Sequence, residues 1–395
     1  MENRLRILVV VDIAWDERFG AAQVFIELAN AWRAAGHTVS KYCFTDAYPT
    51  EATTKLQALW RRVRFPAKVA RFIRSAGSDF DVIDALLGTV PMPKRRLRFR
   101  GLLVGRSVGL HRLYASFDRM ARDRWRELTR GRLPGRLVHP LVYRHMLRLG
   151  DRALARCDLV NLPNDVELQH LRQDLRSNKP AVVQPYGLSD ERRRQLADAA
   201  APLATRLAQK KISFIGMWSA RKGAKDWRTI IQRVRDEVPD ARFVFLGTLV
   251  QDRQIRDELG LDGADFVEFA AQYHPSELPQ LLTDSTVGAF PSYAEGFGIA
   301  VLEQLAAGLP VVAYDAPGPR SILDAGLAEM LVPIGDVTEF SSALVRVLQA
   351  DLSTYTRLCE QSRQIANRFS WANIADATAL AYRSQLETIA PRSRQ

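Results

Sequence analysis

Cysteine is scarce: Cys43, Cys157 and Cys359 are the only three in 395 residues. Thiols this far apart and odd in number form neither a disulfide framework nor a CxxC metal site. Each reads as a small buried apolar residue. Histidine is also sparse, with six residues scattered without ligand spacing, so no zinc site is expected. No apolar run reaches the ~18 residues that span a bilayer. The run from Ile7 to Val11 stops at Asp12 and is too short, with the wrong flanks, for a secretory signal. A cytoplasmic location is the expectation. Internal repeats and low-complexity tracts are missing, and so are the signatures of the common nucleic-acid-binding modules, which argues against a nucleic-acid partner.

The chain does contain the makings of a folded core. Hydrophobic residues are 47% and charged residues 25%, an ordinary globular balance. At roughly 100–200 residues per domain, two domains are expected. The net charge of +12 is unevenly spread. Residues 91–156 hold eighteen Lys/Arg against four Asp/Glu, so this one segment carries more than the whole net charge. Arg119, Arg122, Arg126, Arg144, Arg148 and Arg152 recur there at helical spacing, with Trp125, Leu128, Leu147 and Leu149 between them. A basic face with apolar anchors suits an anionic membrane surface, and a solvated Arg-rich helical pair has the same pattern.

Hydrophobic patterning predicts alternating strands and helices. Arg4 to Asp12 reads as a buried parallel strand, Ala22 to Ala35 as an amphipathic helix stopped by Gly36, and His37 to Phe44 as a second strand. Strands are expected at 81–87, 101–105, 158–162 and 181–185, with an Arg-rich helical stretch at 111–156. Polar residues 189–211 precede a second α/β series, with strands at 212–216, 242–247, 265–269, 287–290 and 310–314. Helices are expected at 276–282, capped by Ser276, and at 299–307, with a closing helix at 373–389. These patterns predict two doubly wound domains, 1–190 and 205–372, and a closing segment 373–395.

The most informative string runs from Pro291 to Ala313, strand to strand with one helix inside. Gly296 and Gly298 flank Phe297 just before Ile299 opens the helix. Glycines there let backbone N–H groups approach an anion at a helix N-terminus, a natural seat for a diphosphate. Glu295 precedes the turn and Glu303 lies within the helix; a carboxylate that accepts two hydrogen bonds can grip a vicinal diol.

The spacing Glu295 to Glu303 resembles the E-x7-E motif of retaining glycosyltransferases of family 4, which have the GT-B fold. Gly216 through Lys222-Gly223 is similar to that family's donor-phosphate loop. Gly20 to His37 is similar to its N-terminal glycine loop and helix, and Asp315 to Gly318 to the segment after the next strand. The resemblance implies two Rossmann-like domains facing across a cleft, with the closing helix crossing back to the first. It implies that Glu295 contacts the donor sugar and Glu303 the nucleotide ribose. Gly296, Phe297, Gly298 and Ile299 would offer backbone groups, and Lys222 with Arg221 would neutralise the leaving diphosphate. Two positions depart from the family. Met217 stands where an Arg is usual, and Val108 where a His is usual, with His111 and Arg106 nearby as candidate acceptor-side residues.

The expected function is therefore metal-independent transfer of a sugar, with retention, from a nucleotide diphosphate sugar to an acceptor hydroxyl. The basic segment points to a lipid-linked saccharide acceptor in cell-surface polysaccharide synthesis, and to peripheral attachment at the inner membrane face. A nucleotide-sugar epimerase, an inactive donor-binding relative and, more remotely, a nucleic-acid-binding protein are the alternatives. Asp79-Phe-Asp81 spells a D-x-D but reads as a strand edge rather than a metal site.

Overall fold

A computed structural model of the chain describes residues 4–16, 20–125 and 133–389. Two compact units emerge: residues 1–186 with 371–395, and residues 187–370. Each is built on one six-stranded, all-parallel sheet.

The first sheet contains β1 (Arg6–Val10), β2 (Thr38–Tyr42), β3 (Val82–Leu86), β4 (Leu102–Arg106), β5 (Leu159–Leu162) and β6 (Ala181–Val183), in the order β2-β1-β3-β4-β5-β6. Ile7, Leu8, Val9 and Val10 are all buried, as a strand covered on both faces requires. Phe65, Val69 and Ile73 of helix Lys55–Ala76 join Leu8, Ile83, Leu103 and Val160 in one apolar cluster. The closing helix Trp371–Ile389 packs beside helix Gly20–Ala34 in this unit, where Trp32 Nε1 donates to the Ala375 carbonyl at 3.2 Å.

The second sheet contains β7 (Lys211–Ile215), β8 (Arg242–Leu246), β9 (Val267–Ala270), β10 (Val287–Phe290), β11 (Val311–Tyr314) and β12 (Leu331–Val332). Its order is β12-β11-β10-β7-β8-β9. Counted from its own first strand and read from the β9 edge, this is 3-2-1-4-5-6, so the chain reverses direction across the sheet between β7 and β10. Ligands of such sheets sit beyond the strand carboxyl ends at that reversal. An aromatic cluster of Phe214, Trp227 and Phe245, with ring centroids 4.8–5.8 Å apart, backs β7 and β8.

Several sequence expectations change in detail. The polar stretch 189–211 is helical over Asp190–Asp198 and Leu203–Gln209, followed by the start of β7. Ser276 does not cap a helix. His274 caps a short 3-10 turn at Pro275–Glu277, because the Glu277 carboxylate reaches back to the His274 N–H at 2.5 Å. Helix Lys55–Ala76 escapes the pattern reading, since Pro66 interrupts it and its apolar residues lie on two faces. The Asp81 carboxylate accepts from Arg6 Nη2 and from the Arg6 backbone N–H, both at 2.8 Å, which makes the D-x-D a strand-edge ion pair.

Candidate active site

The loops after β7 and β10 are locked together at the chain reversal. Gly223 has φ +82°, and a Cβ there would lie 2.3 Å from the Pro291 carbonyl oxygen. Only glycine allows this approach. The Tyr293 N–H donates to the Arg221 carbonyl at 2.8 Å. Behind them, Asp226 Oδ2 accepts from Tyr293 Oη at 2.7 Å and from Tyr314 Oη at 2.8 Å, fastening the segments after β7 and β10 and the end of β11 to one carboxylate.

This frame brings together the residues expected to carry the chemistry. The Lys222 ammonium pairs with Glu295 Oε2 and lies 4.7 Å from the centre of the Phe290 ring. Arg221 Nη1 is 3.6 Å from the same carboxylate oxygen and donates to the Ala294 carbonyl at 2.8 Å. Burial lowers the pKa of Lys222, and the Arg221 charge adds to the shift, while Glu295 opposes it. An ammonium in this state responds strongly to any further negative charge, because little water screens it.

Gly298 has φ +98° and is the N-cap of helix Ile299–Ala306, three residues after Glu295. Gly318 closes the other side: its N–H donates to the Glu295 carbonyl at 3.1 Å, and a Cβ on it would lie 2.3 Å from the Phe297 oxygen. The Phe297 side chain is buried against Phe369, with ring centroids 5.7 Å apart, so this residue has only backbone to offer.

Glu303 is buried and is held by a residue that sequence reasoning missed. Arg192 Nη2 and Nε donate to Glu303 Oε1 at 2.7 and 3.2 Å, and Arg192 Nη1 donates to the Pro275 carbonyl at 2.6 Å. Tyr273 lies near this pair; burial raises its pKa, the Glu303 charge adds to the shift and Arg192 opposes it. Gln304, also unanticipated, fixes the helix to the sheet. Its Oε1 accepts from Ser213 Oγ at 3.0 Å and sits where a Cβ on Gly288 would fall. No local pattern marks Arg192 as Glu303's partner, 111 positions away. The one available signal is its place in the first turn of a Ser-capped helix.

The remaining candidates divide. Gly20 opens helix Gly20–Ala34. His111 opens helix His111–Arg124, and its side chain lies outside the described residues. Arg106 requires a correction as an acceptor contact. It is 1% exposed, forked onto Asp84 at 2.7–3.1 Å, and bonded to Asn161 and Tyr382. Its position at the end of a central strand seals it inside. Met217 is exposed. In the Arg-rich segment, Arg119, Arg144, Arg148 and Arg152 are exposed, while Arg122, Arg126 and Leu128 lie outside the described side chains. Trp125 and Leu149 face inward and so are not surface anchors. Among the described residues no group of His, Cys, Asp and Glu gathers as metal ligands, and no helix is long and apolar enough to cross a membrane.

Residues 209–350 match the family model described as glycosyl transferases group 1. A D-inositol 3-phosphate glycosyltransferase of Nocardioides sp. is 35% identical over 134 residues, which cover 33% of this chain and 29% of that protein. The enzyme of that name from Corynebacterium urealyticum is 28% identical over 244 residues, covering 58% of this chain and 57% of the relative. The matched regions thus span less than two thirds of these relatives' length. Sucrose-phosphate synthase from Thermosynechococcus elongatus has the same fold, with a TM-score of 0.73 at 18% identity, covering 97% of this chain and 100% of that one. Anabaena HepE in complex with UDP-glucose superposes with a TM-score of 0.63 at 16% identity, covering 96% of this chain and 99% of that one.

Proposed function

We propose that this chain, whose residues 209–350 match the glycosyl transferases group 1 model and whose fold is that of GT-B structures, moves a sugar from a nucleoside diphosphate sugar to an acceptor hydroxyl. The observation that carries the reading is the convergence of Lys222, Arg221, Glu295 and the Gly298-capped helix start at the chain reversal. UDP-glucose in a neighbour of the same fold supports that choice of donor class.

Each residue then has a role set by its chemistry. As the bond to the anomeric carbon breaks, negative charge builds on the diphosphate. Lys222, Arg221 and the helix N-terminus are preorganised cationic groups for that charge. Glu295 accepts from sugar hydroxyls. Both Arg192 contacts go to Oε1 of Glu303, so Oε2 is available to a ribose diol. No metal is required for these roles. Retention by attack from the leaving-group side, with the departing phosphate taking the acceptor proton, and a lipid-linked saccharide as acceptor complete the reading. Binding without transfer is the second reading, favoured by the exposed Met217 at the position where the family has a cation.

The test is a thermal-shift screen of nucleoside diphosphates and their sugars, followed by product analysis with labelled donor. Ligand at 100 times its Kd stabilises by about 2.7 kcal/mol. One nucleoside diphosphate should raise Tm and its sugar should be transferred. A shift without a transfer product selects the second reading, and no shift with any nucleotide defeats both.

A further inference from the structure

Helix Lys55–Ala76 carries a second apolar stripe in addition to its buried one. Leu56, Trp60 and Val63 are 77%, 51% and 41% exposed, and their spacing of four and three residues puts them on one face with Ala67. Soluble surfaces seldom string large apolar side chains together in this way. Arg64 lies over the Trp60 ring at 4.1 Å and Lys68 follows one turn on, so the stripe is flanked by cations.

The stripe runs into a cavity of about 660 Å³ through Val63, which belongs to both. Met92 and Val63 supply apolar wall, and Arg95, Arg96, Arg152 and Arg156 supply positive charge. Among the described residues that line it, none is acidic. His145 also lines the cavity, and its buried Nε2 has no hydrogen-bond partner among the described residues. Apolar wall, several guanidinium groups and an unsatisfied imidazole nitrogen together match a phosphate carried on an acyl or prenyl chain.

We propose that this face of the first unit docks on an anionic lipid bilayer, with Leu56, Trp60 and Val63 entering the acyl boundary and a lipid phosphate seated in the arginine-lined cavity. The bilayer is favoured over a polyanion without a tail because the exposed stripe has no use for the latter. The inference deepens the acceptor side of the reading above and rests on that acceptor being lipid-borne. Docking itself needs neither donor nor transfer, so the two fail separately.

The experiment is co-sedimentation of the full chain with phosphatidylcholine vesicles, with and without a third of phosphatidylglycerol. The anionic vesicles should be bound and the neutral ones not, with binding falling as salt rises. Removing two guanidinium groups in Arg95→Ala/Arg96→Ala should weaken binding about 25-fold, at about fivefold per charge near such a surface. Leu56→Ser/Trp60→Ser should weaken it at least about tenfold through lost apolar burial. Both pairs are exposed, so the nucleotide-induced thermal shift should not change. Brominated acyl chains should quench a component of fluorescence that Trp60→Phe removes. Equal binding to neutral vesicles, indifference to both double variants, or retention on heparin without vesicle binding would overturn the proposal. Displacement by inorganic phosphate beyond that of chloride at equal ionic strength would assign the cavity to a soluble anion, and would overturn it too.

Discussion

Replacing Lys222 with methionine removes the ammonium while keeping the aliphatic stem against Phe290. Two consequences follow and can be separated. In the folded protein, Glu295 loses the cation it pairs with; its side chain is 16% exposed, and Arg221 at 3.6 Å remains as a weaker partner. Breaking a fully buried pair from one side costs about 3–5 kcal/mol. The residual exposure and the surviving arginine reduce that to about 1–3 kcal/mol here. For a unit of this size the loss lowers Tm by about 3–10 °C. During transfer the missing charge acts differently. One preorganised group aimed at developing negative charge contributes about 10²–10³ in rate, so turnover should fall by about that factor. The double variant Lys222→Met/Glu295→Gln removes the stranded carboxylate as well. It should regain most of the lost Tm but none of the turnover, read by calorimetry and by release of nucleoside diphosphate from the donor. A single variant turning over within threefold of the parent, or a double variant recovering both properties together, would refute the reasoning.

Gly223→Ala should lower Tm and abolish the nucleotide-induced shift, because its Cβ meets the Pro291 oxygen and its φ is positive. Gly36→Ala is the control: its φ of +88° is similar but nothing lies within 4 Å, so it should cost only about 1–2 kcal/mol of backbone strain and leave nucleotide binding intact. If both variants bind alike, the close approach of the two loops is irrelevant to the site. Burial pushes the Glu167 carboxyl up to about 7, against hydrogen bonds from Ser107 and Leu110 that oppose the shift. The folded state therefore keeps a proton that the unfolded chain has released by about pH 4.5. Stability should fall as pH rises from about 4.5 through 7, by about 3 kcal/mol in all, and level off above. Glu167→Gln should remove that slope and be the more stable form at pH 8 in urea titrations. Parallel pH profiles for parent and variant would contradict this.

Arg106 and Glu295 differ in how much of their surroundings a short stretch of sequence contains. Glu295, Gly298 and Glu303 sit within nine residues of one another, in a strand-turn-helix whose geometry is local. Their closeness to one another was legible from order and spacing alone. Arg106 also follows a clear strand pattern. Its burial depends on Asp84, Asn161 and Tyr382, the last 276 positions away, and no window along the chain contains that network.

The sequence by itself determined the alternation of buried strands and helices, hence two doubly wound units, and it determined the glycine-flanked acidic string. These are short-range properties, set by apolar periodicity and by backbone conformations that only glycine tolerates. Tertiary structure alone decided that Lys222 meets Glu295, that Arg192 holds Glu303, and that Leu56, Trp60 and Val63 of helix Lys55–Ala76 face outward while Trp125 and Leu149 turn inward. Such pairings depend on which strands become neighbours in a sheet. Strand order minimises the exposed surface of the whole unit, and no segment carries that information alone.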